Sequence, residues 1–237
     1  MDTKILLRNI PAIFLAISWL PLSHAADTGE TELCSPFMEG KVEPTLLTNM
    51  LDAARDGNLY RIDSDTSRVG FCVSSKFNEV KGDFRKVRGG LALSPATAES
   101  GAEQAMIVIN TASLDTQGSM VENLIKGERF FDVDKYPDIL FVSRGFEWSG
   151  QNSATIVGDL TVHGVTRTVA FDVTLTPVKD TSGRAVIESI SGRKVNRMLV
   201  KATTTIHRSQ FGMDGMSKLV SDSVDLCMSV EVVRLSA

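Results

Sequence analysis

The chain has few of the residue types on which catalytic sites depend. Only three of its 237 residues are histidine and only three are cysteine. It contains no Gly-x-Ser-x-Gly elbow, no glycine loop of the phosphate-binding kind and no His-x-x-x-His pair. Because these patterns supply the nucleophile, the phosphate cradle or the metal ligands in common enzyme classes, their absence argues that the protein is not an enzyme.

The remaining histidines and acidic clusters have structural interpretations. His163 is expected in a hairpin turn, and His207 in the segment "TIHRSQFG", each as a hydrogen-bonding side chain. The acidic cluster of Asp132, Asp134 and Asp138 lacks the spacing and the terminal glutamate of a calcium-binding hand, which favours a solvated turn over a calcium loop. We therefore expect no metal site and no catalytic residue.

Long apolar runs are also scarce. The clearest one, residues 10–22, follows a basic start and precedes Ser23-His24-Ala25, which predicts a signal peptide cut before Ala26. Its short length and two prolines make an uncleaved anchor the weaker alternative. A lipoprotein attached at Cys34 is disfavoured because "TELC" lacks small residues before the cysteine. We expect a soluble protein exported to the periplasm.

A basic cluster is missing as well. Without residues 1–25 the chain keeps 23 basic and 28 acidic residues, a formal charge of −5. This mildly acidic balance argues against a nucleic-acid partner and against anionic membrane surfaces. The remaining 212 residues are enough for one domain with an extension.

Alternation of apolar and polar residues, typical of half-buried strands, is what the sequence has in abundance. Leu160 and Val162 share one face before a turn at His163-Gly164, and Phe171 lies on the apolar face of the strand after that turn. The segment 224–232 alternates most regularly. The pattern predicts an antiparallel sheet with one buried face.

Several of these segments resemble the YceI family of polyisoprenoid-binding, lipocalin-like proteins. The segments that carry the resemblance are "YRIDSDTSRVGFCV" (60–73), "INTASLDT" (109–116), "FFDVDKYPDILF" (130–141), "GDLTVHGVTRTVAFDV" (158–173), "TIHRSQFGM" (205–213) and "VSDSVDLCMSVEVV" (220–233). The resemblance covers roughly residues 58–235. It implies an all-β fold, an eight-stranded antiparallel up-and-down β-barrel.

Two helices are expected beside the barrel. Residues 43–55 have apolar residues at helical spacing, and we expect this helix to pack on the barrel wall or cover one end; a partner-docking helix is the alternative. Ser119 to Gly127 predicts a short helical lid, with Ser119 and Glu122 at capping-box spacing. The expected organisation is a signal peptide (1–25), a flexible leader with the first helix (26–57) and the barrel domain (58–237).

The resemblance implies an apolar cavity that holds an isoprenoid chain. The residues expected to line it are those on inward faces of the strands and the lid: Phe71, Val73, Ile107, Ile109, Leu124, Phe141, Leu160, Val162, Phe171 and Ile206. The family often has a histidine at the position of Leu124, so this chain lacks a polar group there. No cofactor is expected besides a bound isoprenoid lipid.

The cysteines are expected to report on how the barrel closes. Cys72 and Cys227 lie on the polar faces of the first and last strands, which pair with each other in an up-and-down barrel. A Cys72–Cys227 disulfide would therefore staple the seam, and export to an oxidising compartment would allow it. Pairing through Cys34 and three free thiols are the alternatives.

These observations favour a binding protein for an isoprenoid lipid, such as a quinone tail or a polyprenol. The alternatives are a stress or interaction protein whose barrel is filled by its own side chains, and a lipid-acting hydrolase or isomerase, which would need polar groups in the cavity. The expected partners are the lipid and a membrane protein that donates or accepts it. The sequence leaves the oligomeric state open, with a dimer as one alternative.

Overall fold

The computed structural model describes residues 44–93, 103–178 and 196–235. The predicted signal peptide, its cut site, the leader and Cys34 lie outside these residues. The helices are α1 (Pro44–Arg55) and α2 (Ser119–Lys126), with 3-10 turns at Thr111–Ser113 and Arg208–Phe211. The strands are β1 (Leu59–Ser75), β2 (Glu79–Phe84), β3 (Val87–Ala92), β4 (Gln104–Asn110), β5 (Leu114–Thr116), β6 (Asp138–Trp148), β7 (Ser153–Val162), β8 (Val165–Pro177), β9 (Arg197–His207) and β10 (Val220–Arg234).

The strands form one closed antiparallel barrel, as expected. Successive strands pair around the ring, and β10 returns to pair with β1. Eight positions make up the ring, because β2 and β3 are two segments of one bent strand beside β1, and β4 and β5 are two segments of the next. Closure leaves one face of every strand to the interior, which explains the alternation of apolar and polar residues.

Glycines permit the bends in the second ring position. Gly89 has a φ of +134°, and a Cβ there would lie 2.0 Å from the backbone oxygen of Met106. Gly82 lies beneath the ring of Phe71, where a Cβ would come within 2.6 Å of the ring carbons. A larger residue at position 89 would clash with the backbone of β4, and one at position 82 would displace the ring of Phe71.

Helix α1 packs on the outside of the barrel wall, as the sequence predicts. Leu46 and Met50 lie against an outward apolar patch of Met106, Val108 and Leu140 on β4 and β6. These three residues point out of the barrel, where polar residues are expected, and they are apolar because α1 covers them. Within the described part of the chain, no helix has both the length and the apolar character needed to cross a membrane.

Helix α2 forms where it was predicted, but its predicted capping box was wrong. Gly118 is the N-cap and no side chain caps the helix, because Ser119 is already the first helical residue. Glu122 pairs instead with Lys126 at 2.7 Å, one turn further along. The spacing of apolar residues predicted the helix correctly, but the N-cap is Gly118, one residue before the expected Ser119.

The predicted seam disulfide was also wrong, although the seam itself was right. β1 and β10 do pair, but both Cys72 and Cys227 are free thiols. Cys72 lies opposite Asp225, and Cys227 lies opposite Gly70, so the two cysteines are diagonal neighbours. Diagonal neighbours are about 7–8 Å apart at Cα, beyond the roughly 7 Å that a disulfide spans without backbone movement.

Candidate functional site

An apolar cavity of about 300 Å³ occupies one half of the barrel interior. We call this the hollow half; it lies at the end where β1 finishes and β10 begins. Phe77, in the turn after β1, lines the cavity and is also 83% exposed. The cavity therefore opens to solvent at this end.

All ten residues that the sequence assigned to the cavity line it. They are Phe71 and Val73 on β1, Ile107 and Ile109 on β4, Leu124 on α2, Phe141 on β6, Leu160 and Val162 on β7, Phe171 on β8 and Ile206 on β9. Their inward orientation follows from the two-residue period of each strand. That these side chains bind a ligand remains a prediction.

The other half of the barrel is filled by its own side chains. Leu175, Val230 and Val232 are completely buried and do not line the cavity. Val232 lies opposite Ile62 on β1 and opposite Met198 on β9, so a continuous row of buried side chains runs along three neighbouring strands of the wall. This filled half closes the floor of the cavity.

Aromatic rings close the barrel beside α2. β6 pairs with β4 but not with β5, which leaves a gap in the wall that α2 and the following loop cover. The loop inserts Phe131, whose ring meets Phe84 edge-on at 5.3 Å and Phe71 at 5.9 Å. Edge-to-face contacts of this kind stabilise a packed aromatic cluster, so α2 is held as part of the cavity wall.

The backbone pairing of the wall is incomplete between β8 and β9. The two strands pair only where Asp172–Pro177 meets residues 198–203, although β8 starts at Val165 and β9 continues to His207. The half-buried Phe171 is the first residue beyond the paired region, and its ring packs edge-on against Phe141 at 5.2 Å. On this side, side chains rather than backbone hydrogen bonds separate the cavity from its surroundings.

Arg208 is a charged group on an otherwise apolar wall. It is 5% exposed and lines the cavity. Its guanidinium donates to four backbone carbonyls between residues 213 and 221 at 2.5–3.0 Å. These bonds satisfy most of its donors and fix the loop that forms one side of the opening.

The two described histidines lie outside the cavity lining. The ring of His163 packs at a tilt against Tyr136, with the ring centres 4.6 Å apart, and His207 lies 3.5 Å from Asp222. Among residues 44–93, 103–178 and 196–235, no cluster of His, Cys, Asp or Glu is arranged to hold a metal ion. Besides Arg208, the polar side chains of the lining are Ser75 and Asn78. The arrangement suits an apolar chain.

His163 holds a tight turn, as expected. His163 and Gly164 have φ values of +51° and +73°, the combination that a two-residue type I′ hairpin requires. A Cβ at Gly164 would lie 2.5 Å from the ring of Tyr136. The turn thus fixes β7 and β8 beside the loop that leads into β6.

Sequence reasoning missed several lining residues near the opening. Val224 and Leu226 line the cavity from β10, and their regular alternation was a usable signal. Phe130 lines it from the loop after α2. Met213 and Met216 line it from the loop before β10, which has no periodicity that would reveal them.

Comparison with known proteins identifies the family. The model of the YceI-like domain matches residues 60–232. The chain belongs to the YceI-like domain family. A UPF0312 protein of Pseudomonas putida (strain F1) is 31% identical over 181 residues, covering 76% of this chain and 84% of the relative.

Solved structures share the family's barrel. BcnA of Burkholderia cenocepacia is 23% identical with a TM-score of 0.60, covering 72% of this chain and 98% of its own. A polyisoprenoid binding domain from Saccharophagus degradans is 13% identical with a TM-score of 0.53, covering 74% of this chain and 98% of that domain. At these identities the likeness concerns the fold.

Proposed function

We propose that the protein binds an isoprenoid lipid, such as a quinone tail or a polyprenol, in the hollow half of the barrel. The observation that carries the proposal is the apolar cavity itself, lined by all ten residues assigned from the sequence. The polyisoprenoid binding domain of Saccharophagus degradans, which has the same fold, supports this choice of ligand.

The cavity suits the tail of such a lipid better than its head group. Its volume of about 300 Å³ is at the low end of small-molecule pockets, which are roughly 300–1,000 Å³. Each buried CH₂ contributes about 0.8 kcal/mol, so an apolar chain gains affinity without polar contacts. The polar lining residues Ser75, Asn78 and Arg208 belong to elements at the open end, where a head group would remain.

The proposal includes export and a non-catalytic role. The apolar run in residues 10–22 and the small residues before Ala26 support a cleaved signal peptide and a periplasmic location. A membrane protein that hands over or accepts the lipid fits this location. The scarcity of polar groups in the cavity supports binding and transport rather than hydrolysis or isomerisation.

The test is organic extraction of the purified protein followed by mass spectrometry, with a matched pair of variants. Phe171→Asp places a carboxylate on the cavity wall. An unpaired charge there costs on the order of 3–5 kcal/mol unless the carboxylate is protonated or water enters the cavity. The isoprenoid content should fall strongly. Thr174→Asp places the same group on the exposed outer face of the same strand and should leave the content unchanged.

Circular dichroism establishes that both variants are folded before their lipid content is compared. Equal isoprenoid content in two folded variants would contradict the proposed site. A wild-type protein that contains no lipid, and that takes up none when an isoprenoid is supplied, would favour the filled-barrel interaction protein instead.

A further inference from the structure

We infer that the open end of the barrel docks on an anionic phospholipid bilayer. The surface concerned, the mouth patch, consists of Phe77, Met120, Leu124, Met216, Lys76 and Lys218. The inference states where the isoprenoid lipid enters and leaves the barrel, and in that respect it rests on the proposed function. The surface itself is argued from exposure, backbone conformation and charge.

Exposed apolar side chains gather around the opening. Phe77 is 83% exposed, Met120 85%, Leu124 45% and Met216 39%. They come from three separate segments, namely the turn after β1, helix α2 and the loop before β10. Three of the four also line the cavity. Exposed apolar clusters of this kind mark interaction sites, and this one is continuous with an apolar interior.

The backbone holds Met216 in an unfavourable conformation that presents its side chain at the mouth. Its φ is +53°, in the left-handed region that bulky residues avoid. The backbone nitrogens of Leu219 and Val220 both donate to its carbonyl oxygen, at 2.8 and 3.0 Å, and stabilise the turn. A glycine or asparagine would adopt this conformation more readily. The backbone conformation therefore gives no reason for a methionine at position 216, and we attribute this residue to its side chain at the mouth.

Two lysines flank the apolar residues. The backbone nitrogen of Lys76 donates to the carbonyl of Leu219 at 2.9 Å, which joins the turn after β1 to the loop that carries Lys218. Both lysine side chains are exposed, and within the described part of the chain neither has a carboxylate at ion-pair distance. The neighbouring Lys81, in contrast, is paired with Glu79 at 2.8 Å.

The charge around the opening therefore differs from the charge of the whole chain. The net negative charge argues against anionic surfaces, but it averages over all faces. The elements around the mouth carry three positive side chains, Lys76, Lys218 and Arg208. Against them stand the exposed carboxylates of Asp214 and Asp222, which leaves one positive charge, while Glu122 is occupied by Lys126. Lysines beside exposed apolar side chains suit an interface where the apolar groups enter the acyl region and the ammonium groups stay among anionic head groups.

This geometry gives the lipid a route that avoids water. A polyprenyl chain leaving a bilayer would pass between the exposed side chains of the mouth patch directly into the cavity. The closed floor of the filled half leaves the mouth as the natural entry.

The experiment is flotation of the mature protein with vesicles of phosphatidylglycerol and phosphatidylcholine, compared with vesicles of phosphatidylcholine alone. Wild type should float with the anionic vesicles and much less with the neutral ones, and added salt should weaken the binding. The double variant Phe77→Ser with Met216→Asn should reduce binding about tenfold or more. Asparagine tolerates the left-handed conformation, so this variant should remain folded.

Two control variants locate the effect. Leu47→Ser with Leu51→Ser removes apolar side chains that are 41% and 52% exposed on α1, away from the mouth, and should leave vesicle binding unchanged. Lys76→Gln with Lys218→Gln should abolish the preference for anionic vesicles. Equal binding by the wild type and the mouth variant, or an equal loss from the α1 variant, would overturn the inference.

Mass spectrometry of extracts from the same preparations separates this inference from the proposed function. Wild-type protein that carries isoprenoid but floats with neither kind of vesicle would overturn bilayer docking and leave lipid binding intact. Wild-type protein that floats with anionic vesicles but carries and takes up no isoprenoid would support the docking surface and overturn the proposed ligand.

Discussion

The two halves of the barrel are built from the same strands but differ in what occupies the interior. In the filled half, residues such as Ile62, Met198 and Val232 meet across neighbouring strands and leave no space. In the hollow half, the same alternation of inward apolar residues surrounds a cavity. Inward apolar residues are therefore necessary for a cavity but do not by themselves create one.

The difference lies in how the wall is made. In the filled half, β9 pairs without interruption with β8 and β10, and β1 pairs with β10 on both sides of a register shift between Asp63 and Arg68, so neighbouring side chains are held close together. In the hollow half, β8 separates from β9, and α2 with its following loop replaces a strand beside β5. A wall completed by a helix and loops encloses more space than one completed by hydrogen-bonded strands.

The largest effect is expected from shortening the same side chain in each half. Leu175→Ala in the filled half should lower the free energy of unfolding by about 4 kcal/mol, because a void forms in a closely packed region. Leu160→Ala in the hollow half should cost about 2–3 kcal/mol, because Leu160 already borders a cavity. Urea unfolding measures both; equal losses would show that the two halves are packed alike.

A smaller effect is expected from enlarging a valine in each half. Val232→Phe should cost about 1–3 kcal/mol, because the ring has to displace Ile62 and Met198. Val69→Phe directs its ring into the cavity and should change stability by less than about 1 kcal/mol while lowering the isoprenoid content of the purified protein. Thermal unfolding and extraction together test this pair. A strongly destabilised Val69→Phe would mean that the cavity has no room for the ring.

The smallest effect concerns acid sensitivity at the open end. The backbone N–H of Ser209 donates to the Asp222 carboxylate at 2.9 Å, and this bond is the main cause that lowers the pKa of Asp222. The Ser209 hydroxyl, which donates to the same carboxylate, and the nearby His207 and Arg208 lower this pKa further. Because the pKa is lower in the folded state, the stabilisation is present at neutral pH and is lost as the pH falls through that lowered value.

Asp222→Asn should therefore remove a small part of the acid dependence, under about 1 kcal/mol because the carboxylate is exposed. Hydrogen exchange of the 3-10 turn Arg208–Phe211, measured against pH, provides the test. In the wild type, the protection factors of this turn, which are corrected for the intrinsic pH dependence of amide exchange, should fall in acid, while those of the filled half should change little. An unaltered pH profile in the variant would remove Asp222 from this account.

The sequence predicted the inward faces of the strands well, because they depend on a local period, while the barrel and its cavity were implied by the resemblance to the YceI family. Phe71, Phe141 and Phe171 follow from alternation along one strand at a time, and their shared cavity follows from barrel closure. The disulfide and the capping box were wrong for a different reason. The cap lies one residue before the predicted one. The cysteines miss each other by two positions, because spacing along one strand does not fix its register with another: Cys72 faces Asp225, and Cys227 faces Gly70.

By itself, then, the sequence determined which side chains face the interior, where the helices lie and which family the chain resembles. Only the tertiary structure decided that half of the barrel is filled and that the part of β8 before Asp172 does not pair with β9. It also decided that Phe77 and Met216 both line the mouth, near two lysines that have no ion-pair partner in the described part of the chain. The physical reason is the range of the interactions. Which side of the barrel wall a side chain faces is set by the alternation of neighbouring residues along one strand. Cavities and exposed patches depend instead on residues that are far apart in the chain and on how closely their backbones approach.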